Sequence, residues 1–381
     1  MKRFLQILLL AGVAVSLTAC GNLKNSDLSN NPTTSTKRAR RYQTTTTSKG
    51  GYSVLLKNGR YRTSPIAGLS ATNNDNDVDT RAYEKGLVDL SKRAFSPNRY
   101  VFQEGQEIST STANDWLARK SKKTPAGLNP ADNHKKDANT RAPIRVEQIQ
   151  EQDYLTGSRT NYHIAGMSIG LAMNSVDYFT KKEGGPQYHS DISRADQESY
   201  GKKAADQVVA RLRKDKKLQN IPILVGLFSK TATDSLSSGN YFAYGIANAN
   251  SSKINSWKKL NMRTQTLPTI GDTKPISSND ESDFSNFKAA VQDYFPDISG
   301  VTASVKYTNG KLTEEDITIT TQFYGYAQIE SFTKLTLSAA RKYLPNNAAI
   351  EIKINSVNAV QALIAKNSAG DNYYVHVFNG E

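Results

Sequence analysis

Cysteine is almost missing from this chain: Cys20 is the only one in 381 residues. Disulfides are therefore excluded, and once that thiol is used none remains for catalysis or metal binding. Histidine is scarce as well. His134, His163, His189 and His376 lie far apart and lack the spacing of metal ligands, so neither a zinc site nor any other cofactor is expected. The sequence holds no Gly-x-Ser-x-Gly, Walker A or Gly-x-Gly-x-x-Gly element, which removes the usual signatures of hydrolases, nucleotide and dinucleotide binding. No apolar run reaches the ~20 residues of a membrane-spanning helix.

What is present begins at the N-terminus. Lys2 and Arg3 precede an apolar run from Phe4 to Val15, and Leu17-Thr18-Ala19-Cys20 follows. A positive start, a short apolar core and small residues before a cut are the parts of a secretory signal peptide. Cysteine straight after Leu-Thr-Ala makes the stretch a bacterial lipobox. The expected chemistry is acylation of the Cys20 thiol and cleavage between Ala19 and Cys20. Residues 1–19 are then a leader. The mature chain is held on the extracellular face of the cell membrane by a diacylglyceryl anchor on Cys20. An uncut membrane anchor is the alternative, and the run is short for it.

The net charge of +14 is unevenly spread: residues 21–62 hold nine Lys or Arg against one Asp. Basic charge gathered beside a lipid anchor meets anionic headgroups or wall polymers, at about 1 kcal/mol per cation near such a surface. That distribution points to anionic lipid or wall polymer as a partner of the tether and away from nucleic acid. A merely solvated tether is the other reading. Residues 21–51 are Asn, Ser, Thr and Lys with almost no apolar side chains. Residues 20–51 therefore read as a lipidated, disordered tether, reaching about 30 Å r.m.s..

Order is expected from Tyr52. Val54 to Leu56 and Arg60-Tyr61 read as a hairpin around Asn58-Gly59. Tyr83, Leu87, Leu90, Ala94 and Phe95 repeat at helical spacing. Tyr100 to Phe102 reads as a strand, residues 109–143 as a long loop with a short helix near Trp116, and His163 to Ala172 as a second strand. A polar insertion at 174–196 leads to an amphipathic helix with Ala204, Ala205, Val208, Val209 and Leu212 on one stripe. Strands follow at Ile221 to Phe228 and Tyr241 to Ala247. The second half repeats the plan: a helix at Phe284 to Phe295, a hairpin around Asn309-Gly310, a helix at Ile329 to Tyr343, then strands at Ile350 to Ile354 and Tyr373 to Phe378. The fold class is α+β. It consists of two tandem copies of a helix-strand-strand-helix-strand-strand unit, with antiparallel-rich sheets covered by helices. Residues 52–265 hold the first copy and the N-terminal hairpin; residues 283–381 hold the second.

Three motifs invite chemistry. Ser199-x-x-Lys202 and Ser331-x-x-Lys334 match the nucleophile motif of penicillin-recognising enzymes, without its companion elements. Serine capping at two helix starts is the preferred account, and no enzyme activity is expected. Asp75-x-Asp77-x-Asp79 has the opening spacing of a calcium loop but lacks Gly at the sixth position and Glu at the twelfth, which favours an acidic helix cap. Clustered aromatics supply candidate binding residues: Tyr241, Tyr244, Tyr324, Tyr326 and Tyr373. Part of them lines a groove for a peptide or glycan, or all of them pack in the core.

Several stretches belong together: Glu84-Lys85-Gly86-Leu87 through Phe95-Ser96-Pro97, Phe102-Gln103-Glu104-Gly105-Gln106, Gly127 to Pro130, Gly166 to Ser175, Tyr294-Phe295-Pro296, Phe323-Tyr324-Gly325 and Glu330 to Thr333. With them the chain resembles the CamS family, the sex-pheromone precursor lipoproteins of Gram-positive bacteria. The resemblance runs from about residue 60 to 380. It implies two tandem copies of one domain and a surface lipoprotein. It also implies a short hydrophobic pheromone cut from the end of the leader: here Val13, Ala14, Val15, Ser16, Leu17, Thr18 and Ala19. It supplies no ligand for the folded body, for which a binding module for peptide, glycan or anionic wall polymer is the alternative function.

Overall fold

The structure is a computed structural model. It describes residues 42–379 except 48–49, 73–76, 159–160, 295–297, 358, 369 and 371. The leader, Cys20 and the tether up to residue 41 lie outside the described residues.

Asn-Gly pairs make two tight turns. Asn58 and Gly59 have φ of 55° and 73°, Asn309 and Gly310 of 53° and 78°, the positive-φ pair that a two-residue hairpin turn requires. The second joins β12 (Ile298–Thr308) to β13 (Lys311–Thr321) as expected. At the first, only Lys57 and Arg60 exchange N–H···O bonds. The strand before it, β2 (Leu55–Lys57), pairs instead with β1 (Tyr42–Thr44), so the hairpin partner of 54–56 is not Arg60-Tyr61. Ordered strand therefore starts inside the stretch expected to be tether.

Two six-stranded sheets carry the fold. The first has the order β10 (Trp257–Lys259), β9 (Asn240–Ala247), β8 (Ile223–Ser229), β5 (Asn161–Met173), β4 (Val146–Ser158), β3 (Val101–Glu104). The second has the order β11 (Met262–Leu267), β12, β13, β14 (Ala349–Asn355), β15 (Val360–Lys366), β16 (Tyr374–Val377). Each is antiparallel except for one central pair, β5 with β8 and β13 with β14. Parallel neighbours need a crossover. It is made by α3 (Arg194–Leu212) in the first half and α5 (Tyr326–Tyr343) in the second. The insertion before α3 folds as a separate ribbon, β6 (Val176–Thr180) with β7 (Gln187–Asp191). The halves are thus two similar sheet-bearing units. β11 pairs with β12 and so belongs to the second sheet.

The first sheet is covered on both faces. On one, Ala204, Val208 and Leu212 of α3 and Trp116 of α2 (Thr110–Leu117) pack on Met167, Ile169 and Leu171. On the other, Tyr83, Leu87 and Leu90 of α1 (Asp77–Ser91) pack with Phe95, Tyr154, Phe228 and Tyr241. The close approach of α1 depends on glycine. A Cβ on Gly170 would meet the Tyr241 hydroxyl at 2.8 Å and the Tyr83 ring at 2.9 Å, and one on Gly226 or Gly86 would meet the Tyr241 ring at 2.7 Å. In the second half α4 (Ser278–Tyr294) and α5 share a single core, where Phe284, Phe287 and Val291 meet Ile329, Phe332 and Ala340. The order of elements repeats, but the leading helix does not take the same face. The far face of the second sheet presents Ser304, Lys306, Glu314, Asp316, Glu351 and Lys353, alternating with core residues such as Val305, Ile317 and Ile352.

Candidate functional site

The site grows from an unusual strand. β4 reads Val-Glu-Gln-Ile-Gln-Glu-Gln-Asp-Tyr, yet Glu147, Glu151, Gln152 and Asp153 are each 2% exposed or less. Buried carboxylates persist only where hydrogen bonds replace water. Glu147 accepts from the Thr72 N–H and hydroxyl and from the Asn174 amide, each at 2.8 Å. Glu151 accepts from the backbone N–H groups of Gln106 (3.1 Å), Glu107 (2.9 Å) and Ile108 (2.8 Å). Gly105 permits this approach, since a Cβ there would lie 2.3 Å from the Glu151 side chain. Asp153 accepts a further bond from the Gln106 N–H at 3.0 Å. Burial raises both carboxyls, and Asp153 goes well above the usual range because the charge of Glu151 adds to burial. Glu151, bonded to three successive backbone N–H groups, anchors the loop.

That anchoring fixes Glu104 beside a pocket of about 210 Å³. Its floor includes Gln148 and Gln150 of β4, its walls include Tyr83 and Glu84 of α1 and Phe102 of β3, and Tyr61 stands at its edge. Glu104 accepts from the Tyr61 hydroxyl at 2.5 Å and from the Ser64 N–H at 2.6 Å. Burial, then the charge of Glu104, raises the Glu84 carboxyl, and burial followed by the bond to Glu104 raises the Tyr61 phenol. Two of the stretches that carry the family resemblance, Glu84–Leu87 and Phe102–Gln106, meet here.

A second cleft, of about 470 Å³, lies on the other flank of α1, between the two sheets. Arg81 and Lys85 of α1 face Thr264, Lys306, Glu314 and Asp316 of the second sheet across it. Lys85 borders both spaces.

The aromatic candidates separate. Tyr241 and Tyr244 are 1% and 5% exposed and belong to the core beneath α1, which corrects their assignment to a binding groove. The glycines at 86, 170 and 226 leave room for the Tyr241 ring, and its hydroxyl donates to the Tyr83 carbonyl. Tyr324 and Tyr326 are exposed at the start of α5, and Tyr373 is half-buried against the second core. The five do not line one surface.

The two Ser-x-x-Lys motifs also change role. α3 starts earlier than expected, with Ser193 as its cap (the hydroxyl accepts from the Asp196 N–H at 3.1 Å), and Gly325 precedes α5. Ser199 and Ser331 are therefore not caps; both are exposed inside their helices. Each lysine is drawn to a glutamate one turn back, Lys202 to Glu198 at 2.6 Å and Lys334 to Glu330 at 2.7 Å. Asp79 is a buried tie: it accepts from the N–H groups of Thr231 and Gly239 and from the Thr231 hydroxyl. Asp75 lies outside the described residues. Among the described residues, no three of His, Cys, Asp and Glu converge as metal ligands would.

The model of the CamS sex pheromone cAM373 precursor family matches residues 61–372. The chain belongs to this family. Solved structures agree. A sex pheromone precursor from Lactobacillus salivarius subsp. salivarius UCC118 is similar, with a TM-score of 0.85 and 39% identity over 89% of this chain and 100% of that one. The C-terminal domain of the sex pheromone staph-cAM373 precursor from Staphylococcus aureus is similar too, with a TM-score of 0.68 and 26% identity over 80% of this chain and 98% of that one. No curated protein matches the chain. Among the described residues no helix is long and apolar enough to cross a membrane.

Proposed function

We propose that the chain is a lipoprotein precursor with two products divided at Ala19–Cys20. Cys20 carries the diacylglyceryl anchor and holds the folded body on the extracellular face of the cell membrane. Residues 13–19 are released from the cut leader as a short hydrophobic pheromone. The observation that carries this reading is the Leu17-Thr18-Ala19-Cys20 sequence at the end of a short apolar leader, in a chain of a pheromone-precursor family. Its uncharged Val-Ala-Val-Ser-Leu-Thr-Ala segment has the apolar character a peptide needs to cross membranes. The basic charge between residues 21 and 62 then lies near anionic lipid or wall polymer and reinforces a single lipid anchor.

The test replaces residues 13–17 with those of a different working lipoprotein leader. Loss of the mating or clumping response of recipient cells, with the body still at the membrane, is the expected result. An unchanged response contradicts pheromone release from this segment. The body itself acts without covalent catalysis in this reading. An acylating probe leaves Ser199 and Ser331 unlabelled, because their lysines are held by Glu198 and Glu330; labelling of either serine overturns that part.

A further inference from the structure

The pocket beside α1 is negatively charged in a protein of net charge +14. The charged residues that line it are Glu84, Lys85, Glu104 and Glu151. The Lys85 ammonium is directed at Asp89 (3.3 Å) and Glu314 (3.1 Å). Glu151 uses its carboxylate on three backbone N–H groups. Glu84 and Glu104 remain, and among the described residues neither has a Lys or Arg partner within salt-bridge distance. Two bonds fix Glu104 before anything binds, one from Tyr61 and one from Ser64. Such preorganisation removes part of the ordering cost of binding.

Two further observations define what fits. In the floor, Gln150 Oε1 is buried with no hydrogen-bond partner. A buried acceptor left unpaired is costly, so a ligand N–H that pairs with it is favoured. The rest of the wall includes Ile66, Tyr83, Val88 and Phe102, an apolar and aromatic surface. The volume of about 210 Å³ is below the roughly 300–1,000 Å³ of clefts that hold drug-sized molecules. The space therefore suits a body the size of one amino acid or one sugar ring.

We propose that this pocket binds a small ligand through a protonated primary amine. The ammonium is set against Glu104 and Glu84, a donor of the ligand satisfies Gln150 Oε1, and the rest of the ligand lies against Tyr83 and Phe102. A cation near aromatic faces gains further from their negative centres. The site belongs to the folded body and does not depend on the fate of the leader.

The test is a titration of the full-length protein with n-butylamine and with glucosamine at pH 7. Binding is read from amide chemical shifts in the loop 104–108. The neutral counterparts are n-butanol and N-acetylglucosamine, and the two amines distinguish an apolar body from a hydroxylated one. At least one amine shifts the loop resonances, its counterpart binds about tenfold more weakly or not at all, and Glu84→Gln weakens the amine by about tenfold, which is ~1.4 kcal/mol. Glu104→Gln has the same effect but also loosens Tyr61 and Ser64, so Glu84→Gln, on the exposed side of α1, keeps the test independent of folding. Binding of neither amine, equal binding of a neutral counterpart, or unchanged affinity in Glu84→Gln overturns the assignment.

Discussion

Lys85 Nζ stands 3.1 Å from Glu314 Oε1, across 229 residues of chain. This contact ties α1, which covers the first sheet, to β13 in the second. Lys306 reaches the same oxygen at 3.1 Å. Burial pushes the Glu314 carboxyl up, but Lys306 and Lys85 together outweigh it and hold the group below its usual range.

A double-mutant cycle on Lys85→Ala and Glu314→Gln measures what this tie contributes. The two side chains are 54% and 32% exposed, so the coupling is about 0.2–1 kcal/mol and shrinks with added salt. Because the folded carboxyl is depressed, its contribution is full above the ordinary carboxylate range and is lost as pH falls through the folded value. A coupling of zero at low salt removes this contact from the account of how the halves hold together.

The elements with regular apolar spacing were legible in the sequence. Ala204, Ala205, Val208, Val209 and Leu212 do form one buried stripe, and Asn309-Gly310 does turn a hairpin. β4 was not legible. Its Gln, Glu and Asp residues offer no apolar face, and their burial depends on partners distant in sequence, such as Thr72 and Ile108. β15 (Val-Gln-Ala-Leu-Ile-Ala-Lys) is short and apolar enough to suit a helix or a strand, and pairing with β14 decides it. The pocket was hidden for the same reason as β4. Only the family-like stretches around Glu84 and Glu104 gave a sign of it, and nothing local showed that they meet.

Gly170 is predicted to be intolerant of a side chain. Gly170→Ala forces Tyr83 and Tyr241 apart and destabilises by about 1–3 kcal/mol. The Tyr83 hydroxyl donates to the Gly170 carbonyl at 2.6 Å, so Tyr83→Phe costs about 1 kcal/mol. Gly300, where an added Cβ would meet no heavy atom within 4 Å, is the control, and Gly300→Ala stays within about 0.5 kcal/mol. Urea midpoints at constant slope check all three. Equal effects at Gly170 and Gly300 contradict the packing of α1 described above.

Glu315 gives a pH signature. It is 2% exposed, and burial, then Asp280, Asp283 and Asp316, push its carboxyl up to about 8 while Lys366 opposes the shift. A raised folded value means that the protonated form is favoured on folding. The contribution is full below the unfolded value of about 4.3 and is lost as pH rises through about 8. Stability of the parent protein therefore declines from pH 5 to pH 9. Glu315→Gln flattens the decline and is more stable than the parent at pH 9, by about 1–3 kcal/mol. Parallel pH curves for parent and variant contradict a neutral Glu315 in the folded state.

The division at Ala19–Cys20 is most directly tested by mass spectrometry of the N-terminal peptide from protein extracted from membranes. The predicted product begins at Cys20 and carries a diacylglyceryl group on its thiol, and Cys20→Ala abolishes both the cut and the lipid. A mature chain that begins elsewhere, or that keeps an unmodified Cys20, contradicts the account.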